Sequence, residues 1–408
     1  MRGLSVLAGL LMAVGCGGGS SSGGGGNPPP PTVNNVAPIS VNSGILNDYA
    51  NGVFVSVMVC VPVTSNCQTI DNILLDTGSF GLRLLASGSA GGALTLALPQ
   101  ENDSTTGNPI AECTQFADTS FLWGPVRMAD VKIAGESASN VPINVAGDPA
   151  FTNIPTSCSS GGTNHSTLQG LGANGILGVG LFAEDCGFGC ASGGNPAPPP
   201  GVYYTCPTAT CVSSFVSIAQ QVTNPVALFA TDNNGVIVEL PSVSASGATS
   251  VNGSLIFGIG THSNNGLGTA KIFAADPSTG NFTTVFKNAS YTLSFIDSGS
   301  NGLFFSDPTT TGIPACTGTL SPWYCPASTQ SLTATQQGFG GTGSGSVSFS
   351  IASASSLFSS PTNAVFNDLG GPNPGAFDWG LPFFLGRNVY VAIDGKSTPG
   401  GTGPYWAY

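Results

Sequence analysis

Residues 73–82 read ILLDTGSFGL, and residues 294–303 read SFIDSGSNGL. Each stretch places an aspartate after an apolar run, followed by a hydroxyl residue, Gly, Ser, a variable residue, Gly and Leu. Asp76/Asp297, Gly78/Gly299, Ser79/Ser300, Gly81/Gly302 and Leu82/Leu303 are identical pairs, and the two aspartates stand 221 residues apart (297 − 76). One such Asp-hydroxyl-Gly stretch is a common turn, in which the carboxylate accepts backbone N–H bonds. Two copies in the same apolar context, half a chain apart, point instead to a duplicated lobe.

The chemistry gives a reason for the duplication. A carboxylate at the tip of a strand, inside a tight glycine turn, can approach a symmetry mate closely. Two carboxyls about 3 Å apart cannot both ionise, and they share one proton. The ionised member can deprotonate a water, and the protonated member can polarise a substrate carbonyl. This makes Asp76 and Asp297 the candidate catalytic pair. Gly78 and Gly299 allow the tight turns, and the hydroxyls of Thr77, Ser79, Ser298 and Ser300 are expected to hydrogen-bond the carboxylates.

The rest of the chain suits an all-β setting. Only 7% of the 408 residues are charged, against roughly 25% in an ordinary soluble domain. The 59 glycines and 30 prolines disfavour long helices, while a 41% hydrophobic content is enough to build a core. A net charge of −12 with no Lys/Arg cluster excludes nucleic acid as a partner. Short β runs between turn signals are read at Val53–Val61, Ile73–Leu75, Val131–Ile133, Val236–Leu240, Leu255–Ile259, Tyr291–Ile296, Val347–Ile351 and Val389–Ile393. Phe215–Val222 is the best candidate for a short helix. The Gly, Pro and Ser-rich stretches 186–201 and 335–346 are expected to be surface excursions. Asp185, Asp307 and Asp368 read as loop residues, and Trp123 and Trp379 as core.

The N-terminus reads as an address. Leu4–Val14 is an apolar run too short to span a bilayer, and Gly15-Cys16 follows. Residues 1–15 resemble a bacterial lipoprotein signal, with cleavage before Cys16 and acylation of its thiol; a simple secretory signal with a chance cysteine is the alternative. Residues 17–32, GGGSSSGGGGNPPPPT, are a flexible tether with a stiffer polyproline end. The expected location is the bacterial envelope, at the outer membrane, with the membrane contacted only through the lipid. Ten further cysteines, 60, 67, 113, 158, 186, 190, 206, 211, 316 and 325, form an even set that implies disulfides in an exported chain. Cys60–Cys67, Cys206–Cys211 and Cys316–Cys325 are the natural short loops. Cys186 and Cys190 can pair with each other or with Cys206 and Cys211. With two histidines and no Cys-x-x-Cys pair, zinc is not expected, and no cofactor motif is present.

The paired loops resemble those of the pepsin-like aspartic peptidases, in which two β lobes each donate one aspartate. Three more segments match in order. NGILGVG at 174–180 is similar to the buried strand that threads beside the first aspartate loop. NGSLIFGIG at 252–260 is similar to the stretch leading into the second lobe, and WGLPFFLGRNVYVAID at 379–394 to the closing motif. More narrowly, VCVPVTSNCQTIDNILLDTGSFGLRLL at 59–85 resembles an uncharacterised proteobacterial lipoprotein family, domain of unknown function 3443. The resemblance implies a bilobal double β-barrel with pseudo-twofold symmetry and an interlobe cleft that receives an extended peptide or protein segment. Residues 36–250 form the first lobe and 251–408 the second. It also implies a flap hairpin over 115–127. Phe116 stands where the family has a tyrosine, and Arg83 where it has the tryptophan bonded to that tyrosine, so that bond cannot form. Leu381-Pro382 stands where apolar-Gly is usual, which predicts an irregular second threading strand. The expected activity is hydrolysis of extended peptides by water held between Asp76 and Asp297. The rivals are a peptide- or protein-binding chain on the same fold and an envelope scaffold, which would lack a cleft.

Overall fold

A computed structural model describes residues 34–160, 162–191 and 198–408; the signal segment, Cys16 and the tether at 17–32 lie outside the described residues. Alternation of β-branched and small residues makes strands almost throughout, because branched side chains pack well on a pleated surface. Among the described residues the strands fall mainly into one sheet of fifteen and one of seven.

Each aspartate is delivered by the same three-strand arrangement. In the first half, Cys67–Asp76 enters the turn and Phe80–Leu85 leaves it. Gly175–Val179 threads between them, parallel to the first with Asp76 opposite Gly178, and antiparallel to the second with Gly81 opposite the same Gly178. In the second half, Ala289–Ile296 enters, Leu303–Ser306 leaves and Asn373–Trp379 threads between. Ile296 and Leu303 both lie opposite Trp379. Gly380, next in line, therefore takes the place of Gly178. A Cβ at either glycine would meet a backbone atom of the turn it threads, Phe80 N at 2.6 Å or Gly302 O at 2.1 Å. The second threading strand is irregular, as expected: its register against Leu303–Ser306 shifts between Phe305 and Ser306, and it ends at Trp379, before the tight turn Leu381–Phe383. The apolar-Gly step falls at Trp379-Gly380, before Leu381-Pro382.

The halves are joined by strands rather than by a linker. Val36–Asn42 pairs with Val251–Phe257, which pairs with Gly235–Leu240, then Arg387–Ala392 and Tyr405–Ala407. Strands from both ends of the chain therefore share the larger sheet. The second-half core is aromatic: Phe377 stacks on Phe305 at 4.9 Å and on Trp379 at 4.5 Å between ring centroids, with Phe286 and Phe349 packed edge-on. Trp123 and Trp379 are both buried.

One local expectation is corrected and one refined. Phe215–Val222 forms only a tight turn at Ile218–Gln220. Its backbone groups are claimed from outside: Val222 N–H donates to the Tyr203 hydroxyl and Thr223 N–H to Pro142 O, so no helical ladder can propagate. The stretch 335–346 is a surface excursion as expected, but it is the end of a hairpin rather than a free loop: Gln330–Gln337 and Ser344–Ile351 pair without a break from Gln330/Ile351 to Gln337/Ser344.

Among the described residues the ten cysteines form five disulfides, Cys60–Cys67, Cys113–Cys158, Cys186–Cys190, Cys206–Cys211 and Cys316–Cys325. Cys113–Cys158 spans 45 residues, the others 4 to 9. Loop-closure entropy then ranks them: replacing Cys113 and Cys158 by alanine is expected to cost about 4 kcal/mol, and replacing Cys186 and Cys190 about 2 kcal/mol. Urea unfolding of the two double variants checks the order.

Candidate active site

The two turns are cross-tied by hydroxyls. Thr77 Oγ1 donates to Ile296 O at 2.9 Å and accepts from Ser298 N–H at 3.0 Å. Ser298 Oγ donates to Leu75 O at 2.7 Å and accepts from Thr77 N–H at 3.1 Å. Each hydroxyl reaches across to the backbone of the opposite loop, and both residues are buried. Thr77 and Ser298 therefore do not bond the carboxylates, as had been expected of them. Their backbones sit one step past the aspartates, nearest the pseudo-axis, so their side chains meet the partner loop first.

Ser79 and Ser300 do bond the carboxylates. Ser79 Oγ donates to Asp76 Oδ2 at 2.5 Å, and Ser300 Oγ to Asp297 Oδ2 at 2.7 Å. Gly78 N–H donates to Asp76 Oδ1 at 2.8 Å, and Gly299 N–H to Asp297 Oδ1 at 2.7 Å. The four bonds form two matching sets related by the pseudo-axis. Each carboxyl also lies over the other loop's glycine. A Cβ on Gly78 would stand 2.6 Å from Asp297 Cγ, and one on Gly299 2.8 Å from Asp76 Cγ. Burial first, then the charges of Asp76 and Asp378 and a hydrogen bond with the Asp76 carboxyl, push Asp297 well above the ordinary carboxylate range. Asp76 is 6% exposed, and Asp297 is half-buried. Phe80, which follows the first turn, packs edge-on against Phe182 at 5.2 Å.

The flap region is the hairpin of Ile110–Gln115 and Phe121–Ile133. Phe116, at its turn, packs partly buried beside a cluster that includes Leu74, Leu85 and Ile176. The missing tyrosine–tryptophan bond is replaced by a polar one. Arg83 Nε donates to Thr114 Oγ1 at 2.6 Å, and Arg83 Nη2 to Glu112 Oε1 at 2.6 Å and Asp185 Oδ2 at 3.0 Å. Tyr203 donates to Asp185 Oδ1 at 2.5 Å. Asp185 is thus a buried member of this cluster rather than an ordinary loop residue. Burial works to raise Glu112, but the Arg83 guanidinium overrides it and holds Glu112 below its usual value. Asp185, buried and facing Glu112, is pushed well above its own. Asp307 keeps a loop role, capping the helical turn Pro308–Thr311.

Sequence reading placed Arg83 at the flap but missed its acidic partners Glu112 and Asp185, and it missed Asp378 as a member of the site. The signal for the partners of Arg83 was available: a charge inside the apolar strand FGLRLL requires a buried counter-ion.

A model of the family described as "Protein of unknown function (DUF3443)" matches residues 31–408. No curated protein matches the chain. Among solved structures, an aspartic proteinase from Irpex lacteus is similar, with a TM-score of 0.52 at 16% identity, over 91% of this chain and 96% of that one. The chain has the all-β, bilobal pepsin-like fold; at this identity the likeness carries the fold alone.

Two stability outcomes follow. Arg83→Met leaves Glu112 buried without its cation and should cost about 3–5 kcal/mol, whereas the Arg83→Met/Glu112→Met double variant should recover most of the loss; chemical denaturation measures both. Asp297 titrates above its unfolded value, so its contribution is fully present below the unfolded pKa and is lost as pH rises through the folded one. Asp297→Asn should therefore be more stable than the parent at neutral pH, with the advantage gone below about pH 4. Thermal melts across that range read the crossover.

Proposed function

The chain belongs to the DUF3443 family, whose function is unknown, and from the site it builds we propose that it is an envelope-anchored, aspartic endopeptidase-like hydrolase acting on extended peptides. The observation that carries this reading is the carboxyl pair. Two aspartates from duplicated loops meet, each backed by its own glycine N–H and serine hydroxyl and each lying over the other's glycine.

In this reading Asp297, the carboxyl that burial and its neighbours push upward, carries the shared proton, and Asp76 is the base. Asp76 takes a proton from the bound water as the water oxygen attacks the peptide carbonyl carbon. Asp297 gives its proton to the carbonyl oxygen, forming a neutral gem-diol. The C–N bond then breaks, with one diol hydroxyl proton returned to Asp297 and the proton on Asp76 passed to the leaving nitrogen. The products are a carboxylic acid and an amine, and the pair regains its single proton. The cross-tie of Thr77 and Ser298 supports the mechanism by fixing the distance between the two acids before substrate arrives, so that little reorganisation is needed. The substrate lies extended in the cleft, its backbone bonded as an added strand.

Acylated Cys16 and the Gly/Pro tether complete the proposal by holding the body at the envelope. Phe116 in place of a flap hydroxyl favours a second reading, a peptide-binding chain on the same fold without turnover.

The deciding experiment incubates the purified body with a peptide library from pH 3 to 7, with and without a statin-type transition-state mimic. The expected result is cleavage blocked by the mimic and reduced about 10²–10⁴-fold or more by Asp297→Asn. Cleavage untouched by that substitution, or no cleavage at any pH, defeats the peptidase reading, and the second outcome leaves the binding one. For the anchor, Cys16→Ser should move the protein from the membrane fraction to the soluble one; unchanged fractionation counts against acylation.

A further inference from the structure

The threading strand of the second half carries an acid that its counterpart lacks. In Asn373–Trp379, Phe377 and Trp379 stack in the aromatic core. Side chains alternate faces along a strand, so Asp378 projects from the opposite face. Its lateral partners are Phe295 on the entering strand and Phe304 on the leaving strand. In the first half the corresponding register places Ile176 between Leu74 and Arg83. Phe295 and Leu74 differ by 221 in number, as do Phe304 and Arg83 and the two aspartates, so Asp378 and Ile176 are equivalent positions. The fold accepts an aliphatic side chain at this point, and an acid there is not a requirement of the architecture.

Asp378 is 5% exposed, and among the described residues its Oδ1 has no hydrogen-bond partner. Burying a carboxyl half-satisfied is costly, which argues for a use. Burial first pushes Asp378 well above the ordinary carboxylate range; a hydrogen bond with Ser300 opposes this and the charge of Asp76 adds to it. Ser300 is the residue whose hydroxyl donates to Asp297 Oδ2. The groups facing Asp297 are Asp76, Asp378, Ser300 and the Gly299 N–H. The site therefore gathers three carboxyls, with Asp378 near the serine whose hydroxyl serves Asp297.

We propose that Asp378 is a third acid of the site, a positioning residue that sets the pH range over which Asp76 and Asp297 share one proton. The inference rests on the peptidase reading for its catalytic consequence, but not for the titration itself. Ser300 has a single hydroxyl proton. When Asp378 is ionised it competes for that proton and weakens the bond to Asp297, and it adds a like charge nearby. Both effects disfavour the Asp297 carboxylate. The pair then keeps its proton to higher pH than two isolated acids would.

The test compares the parent with Asp378→Asn, which keeps the shape, and Asp378→Ile, which copies Ile176. Two readouts are taken: ¹³C NMR titration of γ-labelled aspartate carboxyls, and the pH profile of peptide cleavage. The Asp297 midpoint is expected to fall by about one unit in both variants, and the alkaline limb of cleavage to move to lower pH with it. A merely structural role would change amplitude or stability without moving the midpoint. An unmoved or raised Asp297 midpoint overturns the proposal, even if cleavage persists. A lowered midpoint in a protein that cleaves nothing upholds the three-acid cluster while removing the peptidase reading.

Discussion

Four hydrogen bonds between Thr77 and Ser298 and the backbones of the opposing loops are the constraint on which the rest depends. Two carboxyls, each of which would ionise alone, do not stay in contact unless something holds them there. Here the holding groups are neutral hydroxyls, buried, each satisfied as donor and acceptor at once. A buried, fully satisfied network of this kind is rigid. It sets the separation of Asp76 and Asp297 without borrowing any hydrogen-bonding capacity from them. The carboxyls are left to their own glycine N–H and serine hydroxyl bonds. The small residues of the turns serve the same end, because at Gly78 and Gly299 any side chain would occupy the volume of the partner carboxyl.

The pseudo-symmetry that brings the acids together is broken by titratable groups on either side. On the first-half side, Arg83 ties the leaving strand to the flap strand through Glu112 and Thr114. On the second-half side the same register position is Phe304, and the extra titratable group sits on the threading strand as Asp378, which burial pushes above the ordinary carboxylate range. One flank is a cation clamped between acids, and the other adds a carboxyl to the pair. The two aspartates are therefore chemically unequal although their immediate bonds match. That inequality is what a mechanism with one acid and one base needs.

The sequence made the fold legible because the loops repeat. Five identical pairs in ten positions leave little room for chance, and the strands around them alternate clearly, as in VFVSVMVCV. Cys60–Cys67, Cys206–Cys211 and Cys316–Cys325 followed from spacing and Cys186–Cys190 was one of two open pairings, while Cys113–Cys158 depended on the hairpin being laid beside residues 156–159. The hydroxyl roles were not legible. Whether Thr77 reaches its own carboxylate or the opposite backbone depends on how closely the lobes approach, which no local pattern encodes. Asp378 was hidden for a related reason. Within NPGAFDWG it is a lone acid in an aromatic stretch, and it acquires a meaning only when the register places it level with Ile176. Phe215–Val222 misled because its backbone donors are used from outside, Val216 N–H by Cys190 O and Val222 N–H by the Tyr203 hydroxyl.

The central claim, that Asp76 and Asp297 together grip one oxygen, is tested most directly by a crystal structure with a statin-type hydroxyl mimic bound. The account predicts that the mimic's hydroxyl replaces the attacking water and lies within hydrogen-bonding distance of both carboxyls. A mimic that binds elsewhere, or a structure in which the two carboxyls stand too far apart to share one oxygen, would contradict it.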